Sequence, residues 1–130
     1  MRVMVVDDES EKRAALCAAL ALEGFDAIAV CSADAARTAA ESAPQLAIVD
    51  LMLHGTNGFE LARSLRKSAP EVGVILTSDY HFSPTQLERM DCGAIAFVPR
   101  PFALAELALF LRAKLDARPD SVRRSASIGP

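Results

Sequence analysis

The chain has 130 residues, of which 52% are hydrophobic, enough for one domain of ordinary size with a substantial core. Its net charge of −3 and pI near 5.3 argue against direct nucleic-acid binding, and no apolar stretch approaches the roughly 20 residues that span a membrane. Three cysteines without a CxxC pair are typical of reduced thiols in a cytoplasmic protein.

Short apolar segments alternate with amphipathic segments and predict five strand–helix pairs. The predicted strands are residues 2–6, 26–30, 46–50, 72–77 and 94–98. The predicted helices are residues 11–22, 33–42, 57–68, 83–91 and 103–116. Helix ends are predicted from N-cap candidates, a proline suited to the first helical position and a C′ glycine: Ser10, Ser32, Asn57, Ser83, Pro84 and Gly24.

Five such units joined by short connections predict an α/β fold with a five-stranded parallel sheet and helices on both faces. Segments 2–6, 46–50 and 72–77 are the most apolar, so they are predicted to lie at the centre. Segment 26–30 begins with an acid, as an edge strand does. This favours the doubly wound, flavodoxin-like (βα)5 class with strand order 2-1-3-4-5, in which the first and third strands are neighbours.

Three carboxylates stand where predicted strands end: Asp7 and Asp8 after the first, and Asp50 at the tip of the third. Their early position makes the first apolar run too short for a signal peptide. The carboxyl ends of neighbouring parallel strands share the edge at which such sheets bind ligands. Three carboxylates this close need a cation, and Mg²⁺ prefers oxygen ligands. We therefore expect a magnesium pocket, although Asp7 and Asp8 alone also suit a helix N-terminus.

Two further strand ends add Thr77 and, within segment 97–102, Arg100. Together with the three acids and with Gly58 downstream of Asp50, these residues form a set of motifs. In this set the chain resembles the receiver domain of two-component response regulators. The resemblance covers residues 1 to about 117, which we expect to form the receiver domain. Residues 118–130 are polar and have little to bury, so we predict a flexible C-terminal tail. Output would then pass through protein contact, through onward phosphotransfer, or through a domain outside this sequence.

The resemblance implies that Asp50 accepts a phosphoryl group from a histidine kinase or a histidine phosphotransfer protein in a Mg²⁺-dependent reaction. Aspartyl phosphates are an established form of covalent intermediate. Asp8, Asp50 and the backbone carbonyl of Met52 resemble the direct magnesium ligands, and Asp7 resembles the residue that holds the ion through water. The chain is then a phosphoryl acceptor with at most weak autophosphatase activity, not an enzyme.

Thr77 resembles the hydroxyl that moves to the new phosphoryl group, and Phe97 resembles the switch aromatic that turns inward with it. A plain core role for Phe97 also fits its apolar neighbours. The implied readout surface is the fourth helix, fifth strand and fifth helix, which would dock a downstream protein effector or a second copy of the chain as a homodimer. Direct contact with nucleic acid or membrane is not expected.

Arg100 stands where the family carries Lys, and these two cations are not interchangeable. The sequence leaves open whether the larger guanidinium preserves switching. The alternative is a divergent receiver with impaired switching that acts as a scaffold or dimerisation module. The usual proline near His54 is also missing, and Ser78 follows Thr77 in place of a smaller residue. The lifetime of the phosphoryl group stays open. Apolar Met52 would shield the group from water, whereas acidic Asp79 would repel or orient the attacking water, and the sequence does not show which effect is larger.

Two other classes share parts of this pattern. Hydrolases with an aspartate nucleophile need a second acid two residues later, and that position is Met52. A flavin-binding protein of the same fold class would cradle a phosphate after the first strand, where Asp7 and Asp8 would repel it. Both classes are therefore disfavoured.

Overall fold

The computed structural model describes residues 1–116, so the predicted tail at 118–130 lies outside the described residues. Strands and helices alternate throughout: β1 (Arg2–Val6), α1 (Ser10–Leu22), β2 (Asp26–Val30), a 3₁₀ turn (Ser32–Asp34), α2 (Ala35–Ser42), β3 (Leu46–Asp50), α3 (Gly58–Ser68), β4 (Gly73–Ser78), α4 (Pro84–Met90), β5 (Ala96–Pro99) and α5 (Leu104–Asp116). Within residues 1–116, no helix combines the length and apolar character that a membrane crossing requires.

The five strands form one parallel sheet in the order β2-β1-β3-β4-β5, which confirms the predicted fold class. β3 and β4 are buried along their whole length and β1 is buried after its first residue, whereas the edge strands β2 and β5 are largely half-buried. Burial therefore follows the polarity that placed segment 26–30 at an edge. The register pairs Val6 with Val49 and Asp50 with Thr77, so the functional strand ends lie side by side.

Alternate residues of each central strand feed two separate cores, one on each face of the sheet. β1 sends Met4 and Val6 to the core shared with α2 and α3, and it sends Val3 and Val5 to the core shared with α1 and α5. Both cores are closed by leucines, including Leu65 of α3 and the helix residues Leu20, Leu107 and Leu111. The sheet is thus held rigidly from both sides, and this fixes its carboxyl edge.

Several predicted helix ends are confirmed. Asn57 accepts a hydrogen bond from the backbone of Glu60 and caps α3, and Ser83 forms a capping box with Gln86 at the start of α4. Pro84 is the first residue of α4, and Gly24 follows α1 with a φ of +94°.

Two predicted N-caps are wrong. α1 already includes Ser10, because Glu9 takes the cap position, where its backbone N–H donates to Asp7 Oδ1 at 2.9 Å. Ser32 begins the 3₁₀ turn, and α2 starts later, at Ala35, since the Ser32 hydroxyl and N–H are both bonded to Asp8. In both cases a carboxylate at the sheet edge overrides a local helix signal.

Gly58 is required by the close approach of α3 to the end of β3. A Cβ at this position would lie 2.9 Å from Leu51 Cα, 3.0 Å from Asp50 O and 3.1 Å from Leu76 Cδ2. We expect Gly58→Ala to lower the free energy of unfolding in urea by about 1–3 kcal/mol, because the backbone of β3 has no room to give. Ser64→Ala, on the exposed side of α3, is the control and should change stability by less than about 0.5 kcal/mol. Equal stability of the two variants would contradict the packing described.

Candidate functional site

The carboxyl edge of the sheet brings together four of the predicted site residues. Asp7, Asp50 and Thr77 are at most 7% exposed, and with Arg100 they line a cavity of about 330 Å³ between the sheet edge and the adjoining helices. Strand ends alone place the first three residues, because β1, β3 and β4 are neighbours in register. The site is therefore a direct product of strand order.

Asp50 is surrounded by positive charge and hydrogen-bond donors. Its Oδ1 accepts from the backbone N–H of Met52 at 3.1 Å and from Arg100 Nη2 at 3.3 Å. Its Oδ2 lies 3.6 Å from Lys12 Nζ, a contact that the sequence analysis missed. A nearly buried carboxylate needs such partners to offset the cost of its burial.

Arg100 bridges two carboxylates, with Nε donating to Asp79 Oδ1 at 3.1 Å while Nη2 reaches Asp50. Burial opposes the charge of Arg100, but its hydrogen bond to Asp79 and the charges of Asp50 and Asp79 outweigh burial and raise its pKa. The hydrogen bond from Arg100 also lowers the pKa of the exposed Asp79. The guanidinium is therefore a fixed positive charge at the cavity, anchored from outside by Asp79.

Asp8 points to the neighbouring loops. Its Oδ1 accepts from Ser32 N at 2.8 Å, and its Oδ2 accepts from Ser32 Oγ at 2.8 Å and from His54 N at 2.7 Å. Partial burial raises the pKa of Asp8, but these hydrogen bonds together outweigh burial and lower it. Among residues 1–116, no three His, Cys, Asp or Glu side chains form a group that could hold a metal ion. The three acids share one edge, as expected, without closing around a common point.

Asp7 is the carboxylate with the least compensated charge. Burial raises its pKa, a hydrogen bond from the backbone of Glu9 opposes that shift, and the nearby negative charge of Asp50 raises the pKa further. An added cation at this edge would relieve the repulsion between Asp7 and Asp50. The carboxylates of Asp7, Asp8 and Asp50 and the carbonyl of Met52 are hard oxygen donors, so the residues present fit Mg²⁺ in their chemistry.

Thr77 lies at the carboxyl end of β4, and Phe97 lies on the adjacent edge strand β5. Thr77 Oγ1 is buried, and within the described part of the chain it is the buried side-chain polar atom without a hydrogen-bond partner. Phe97 is half-buried on β5 and packs edge-to-face on Phe82, with ring centroids 5.4 Å apart. Phe82 in turn packs on Phe59 of α3 at 5.8 Å. Phe97 is thus the end of a row of three rings.

Sequence reasoning missed three contributors: Lys12, the Ser32 contact with Asp8, and Phe82. α1 begins three residues after Asp7, so its first turn has to lie over the strand ends, and a cation there was a usable signal. Ser32 lies two residues after β2, just as Asp8 lies two residues after β1. No comparable signal marks Phe82, since its packing depends on the course of the loop between β4 and α4.

A sequence model described as the response regulator receiver domain matches residues 3–112. This chain belongs to the family of response regulator receiver domains. The resemblance inferred from its motifs is therefore confirmed.

Relatives of this receiver domain include longer regulators. The DNA-binding response regulator MtrA of Mycolicibacterium smegmatis is 35% identical over 129 residues, and the transcriptional regulatory protein PrrA of Mycobacterium tuberculosis is 32% identical over 133 residues. The alignments cover 98% and 99% of this chain but 56% and 57% of those proteins, so the chain spans a little over half their length. A CheY-like receiver domain protein of Methanospirillum hungatei superimposes with a TM-score of 0.79 at 24% identity, over 88% of this chain and 93% of that one, and it shares the fold.

Asp7→Asn should stabilise the receiver domain at neutral pH without divalent cations. A carboxyl with a raised folded-state pKa favours folding below its unfolded pKa and loses that contribution as pH rises through the folded pKa. We expect a gain of about 0.5–2 kcal/mol in the free energy of unfolding at pH 7, typical of relieving strain at a functional site. The gain should shrink as pH falls through the folded-state pKa of Asp7, which urea titrations at several pH values measure. A constant gain at every pH would contradict this account.

Asp8→Asn should act in the opposite direction. The lowered pKa of Asp8 means that its carboxylate contributes stability above its unfolded pKa, and this contribution is lost as pH falls through the folded pKa. An amide in its place would direct its NH₂ group at the donors of Ser32 or His54. We expect a loss of about 1–3 kcal/mol at pH 7 in the same titrations, because the part-buried donors of Ser32 and the exposed N–H of His54 lose hydrogen bonds to a charged acceptor. Matching signs for the two neighbouring variants would refute the electrostatic description of this edge.

Proposed function

We propose that Asp50 accepts a phosphoryl group from the phosphohistidine of a histidine kinase or a histidine phosphotransfer protein, in a Mg²⁺-dependent reaction. One observation carries the proposal: a buried carboxylate contacts Arg100 and is paired in register with Thr77, whose hydroxyl has no hydrogen-bond partner among residues 1–116. A phosphoryl group on Asp50 would supply acceptor oxygens to both residues. Membership of the receiver family supports the same assignment.

The chemistry needs little from the protein beyond positioning and charge. A carboxylate oxygen of Asp50 attacks the phosphorus, the P–N bond of the donor breaks, and the imidazole leaves with a proton taken from solvent. The product acyl phosphate adds about −1.5 to −2 charge to the site. Arg100 is held in place by Asp79 and donates to the phosphoryl oxygens, for which its planar fork is well shaped.

Asp7, Asp8, Asp50 and the Met52 carbonyl are the residues that would hold Mg²⁺. When bound, the ion neutralises negative charge on the transferring phosphoryl group. The raised pKa of Asp7, which arises first from burial and further from the charge of Asp50, supports a cation at this edge. We propose that the protein is an acceptor with at most weak hydrolysis of its own acyl phosphate.

Thr77 and Phe97 would convert the new charge into a change of surface. A hydrogen bond from Thr77 Oγ1 to the phosphoryl oxygen draws β4 toward Asp50, and Phe97 on the adjacent strand repacks against Phe82. The surface formed by α4, β5 and α5 then docks a protein effector. Apolar side chains are exposed near this surface at Ile95 (43%), which directly precedes β5, and at Leu109 (66%) of α5. A homodimer through this surface stays a prediction.

We propose that the receiver domain acts on a protein partner and that it works in the cytoplasm. Among the relatives, MtrA is a DNA-binding response regulator and PrrA is a transcriptional regulatory protein. With a net charge of −3, we propose that this chain acts on an effector instead of contacting DNA itself. The three cysteines are all free thiols, which suits a reducing compartment. Arg100 reaches both Asp50 and Asp79, and no contact within residues 1–116 favours the scaffold alternative.

Asp50→Asn should abolish phosphorylation by acetyl phosphate with Mg²⁺, because an amide is not a nucleophile for phosphorus. Intact-protein mass spectrometry measures the gain of one phosphoryl group. Asp79→Asn is the matched control, since Asp79 is the other carboxylate held by Arg100 but lies outside the cavity. We expect the control to be labelled. Labelling of the Asp50 variant would refute the acceptor assignment.

Thr77→Val should leave Asp50 able to accept phosphoryl but uncouple the switch. Removing an unpartnered buried hydroxyl should raise the free energy of unfolding by about 1 kcal/mol. The shift of the Phe97 amide signal on phosphorylation, followed by NMR, should be lost. Ser78→Ala is the control, because the Ser78 hydroxyl is equally buried but accepts from Tyr80 N at 3.0 Å. This control should lose stability and keep the Phe97 response. A normal Phe97 response in Thr77→Val would contradict the proposed coupling.

A further inference from the structure

Lys12 reaches the acceptor carboxylate from the first turn of α1. Its Nζ lies 3.6 Å from Asp50 Oδ2 and 3.8 Å from Glu9 Oε2, and its side chain lines the cavity with Asp7 and Asp50. The side chain of Lys12 is 43% exposed, whereas that of Asp50 is 5% exposed. A solvent-accessible ammonium thus covers one oxygen of an almost inaccessible carboxylate.

The two cations at Asp50 are held very differently. Arg100 is 18% exposed, contacts Asp50 Oδ1 and is anchored by Asp79 on its other side. Lys12 has a flexible four-carbon stem, and its second ion-pair partner is Glu9, which is itself 63% exposed at the rim. Moving the Lys12 ammonium from Asp50 toward Glu9 and solvent needs rotation of one side chain. Arg100 cannot leave Asp50 so readily, because it would have to break the contact with Asp79.

A divalent cation and the Lys12 ammonium would compete for the same negative charge. Lys12 Nζ lies 3.6 Å from Asp50 Oδ2, and its side chain lines the same cavity as Asp7. A dication held by Asp7, Asp8 and Asp50 would lie near an ammonium that contacts one of these carboxylates, and like charges at such distances repel. The ammonium therefore has to move when the cation binds.

We propose that Lys12 is an internal counter-ion of Asp50 that a divalent cation must displace, so that this residue sets the magnesium affinity of the site. The inference rests on the proposed function, because it concerns the cation that the reaction requires. Without the divalent cation, Lys12 and Arg100 balance Asp50 from two sides. With it, Lys12 is released toward Glu9 and Asp50 Oδ2 becomes available to the incoming phosphoryl group.

Isothermal titration calorimetry with MgCl₂ on the full, unphosphorylated chain tests this inference. Lys12→Gln removes the charge at similar length and should tighten magnesium binding roughly fivefold to tenfold at low ionic strength, a modest effect because Lys12 is partly exposed. Added NaCl should narrow the difference. Lys12→Arg keeps the charge and should bind magnesium about as the wild type does. Lys67→Gln removes the same charge from an exposed position in the last turn of α3 and should change affinity less than about twofold.

Each outcome decides one of two questions. Tighter binding by Lys12→Gln alone supports displacement of Lys12. Equal or weaker binding by Lys12→Gln, with clear binding by the wild type, would overturn the counter-ion role and leave the proposed phosphoryl acceptor intact. Failure of every variant to bind magnesium would refute the proposed magnesium site itself, and the counter-ion role with it.

Discussion

The negative charge of Asp50, held almost out of contact with water, is the constraint on which the rest of the site depends. A buried carboxylate without partners would cost several kcal/mol, so the fold has to deliver donors and cations to it. Three different segments supply the groups that meet at its two oxygens: the backbone N–H of Met52, the guanidinium of Arg100 and the ammonium of Lys12. Each segment is fixed by the sheet, because β3 and its neighbours are packed on both faces.

This same arrangement leaves part of the site unsatisfied. Asp7 keeps a raised pKa through burial and its proximity to Asp50, and Thr77 keeps a buried hydroxyl without a partner. Both features cost stability in the resting protein. A bound cation would relieve the repulsion on Asp7, and the oxygens of a phosphoryl group on Asp50 would give the Thr77 hydroxyl an acceptor. When a ligand relieves an unfavourable interaction, it favours the conformation in which that interaction is relieved and so shifts the conformational equilibrium. The row of rings from Phe59 to Phe97 joins α3 to β5.

Sequence reasoning predicted the fold and the positions of Asp7, Asp50, Thr77 and Arg100, because all of these follow from where strands end and how strands are ordered. It reached the strand order from the polarity of Asp26 at the start of an otherwise apolar segment. Only small boundary differences arose, as in β5, which was predicted at 94–98 and is observed at Ala96–Pro99. Strand periodicity and burial therefore sufficed wherever a position is set by the sheet.

What the sequence could not predict is the direction of individual side chains. Asp8 turns to Ser32 and the backbone of His54, which are donors on loops whose course depends on tertiary packing. Lys12 reads as an ordinary exposed residue of α1 until the distance to Asp50 is known. The wrong N-cap assignment of Ser32 has the same origin, since a distant carboxylate took the hydrogen bonds that a local rule assigned to a helix.

The central claim is that Asp50 is the carboxylate around which the site is arranged and that it accepts the phosphoryl group. A crystal structure of the beryllofluoride adduct with Mg²⁺ is the most direct test of this claim. We predict that beryllium is bonded to an Asp50 oxygen, with Thr77 Oγ1 and the Arg100 guanidinium each within hydrogen-bond distance of a fluoride. Beryllofluoride bound to another carboxylate, or a Thr77 hydroxyl still without a partner in the adduct, would contradict it.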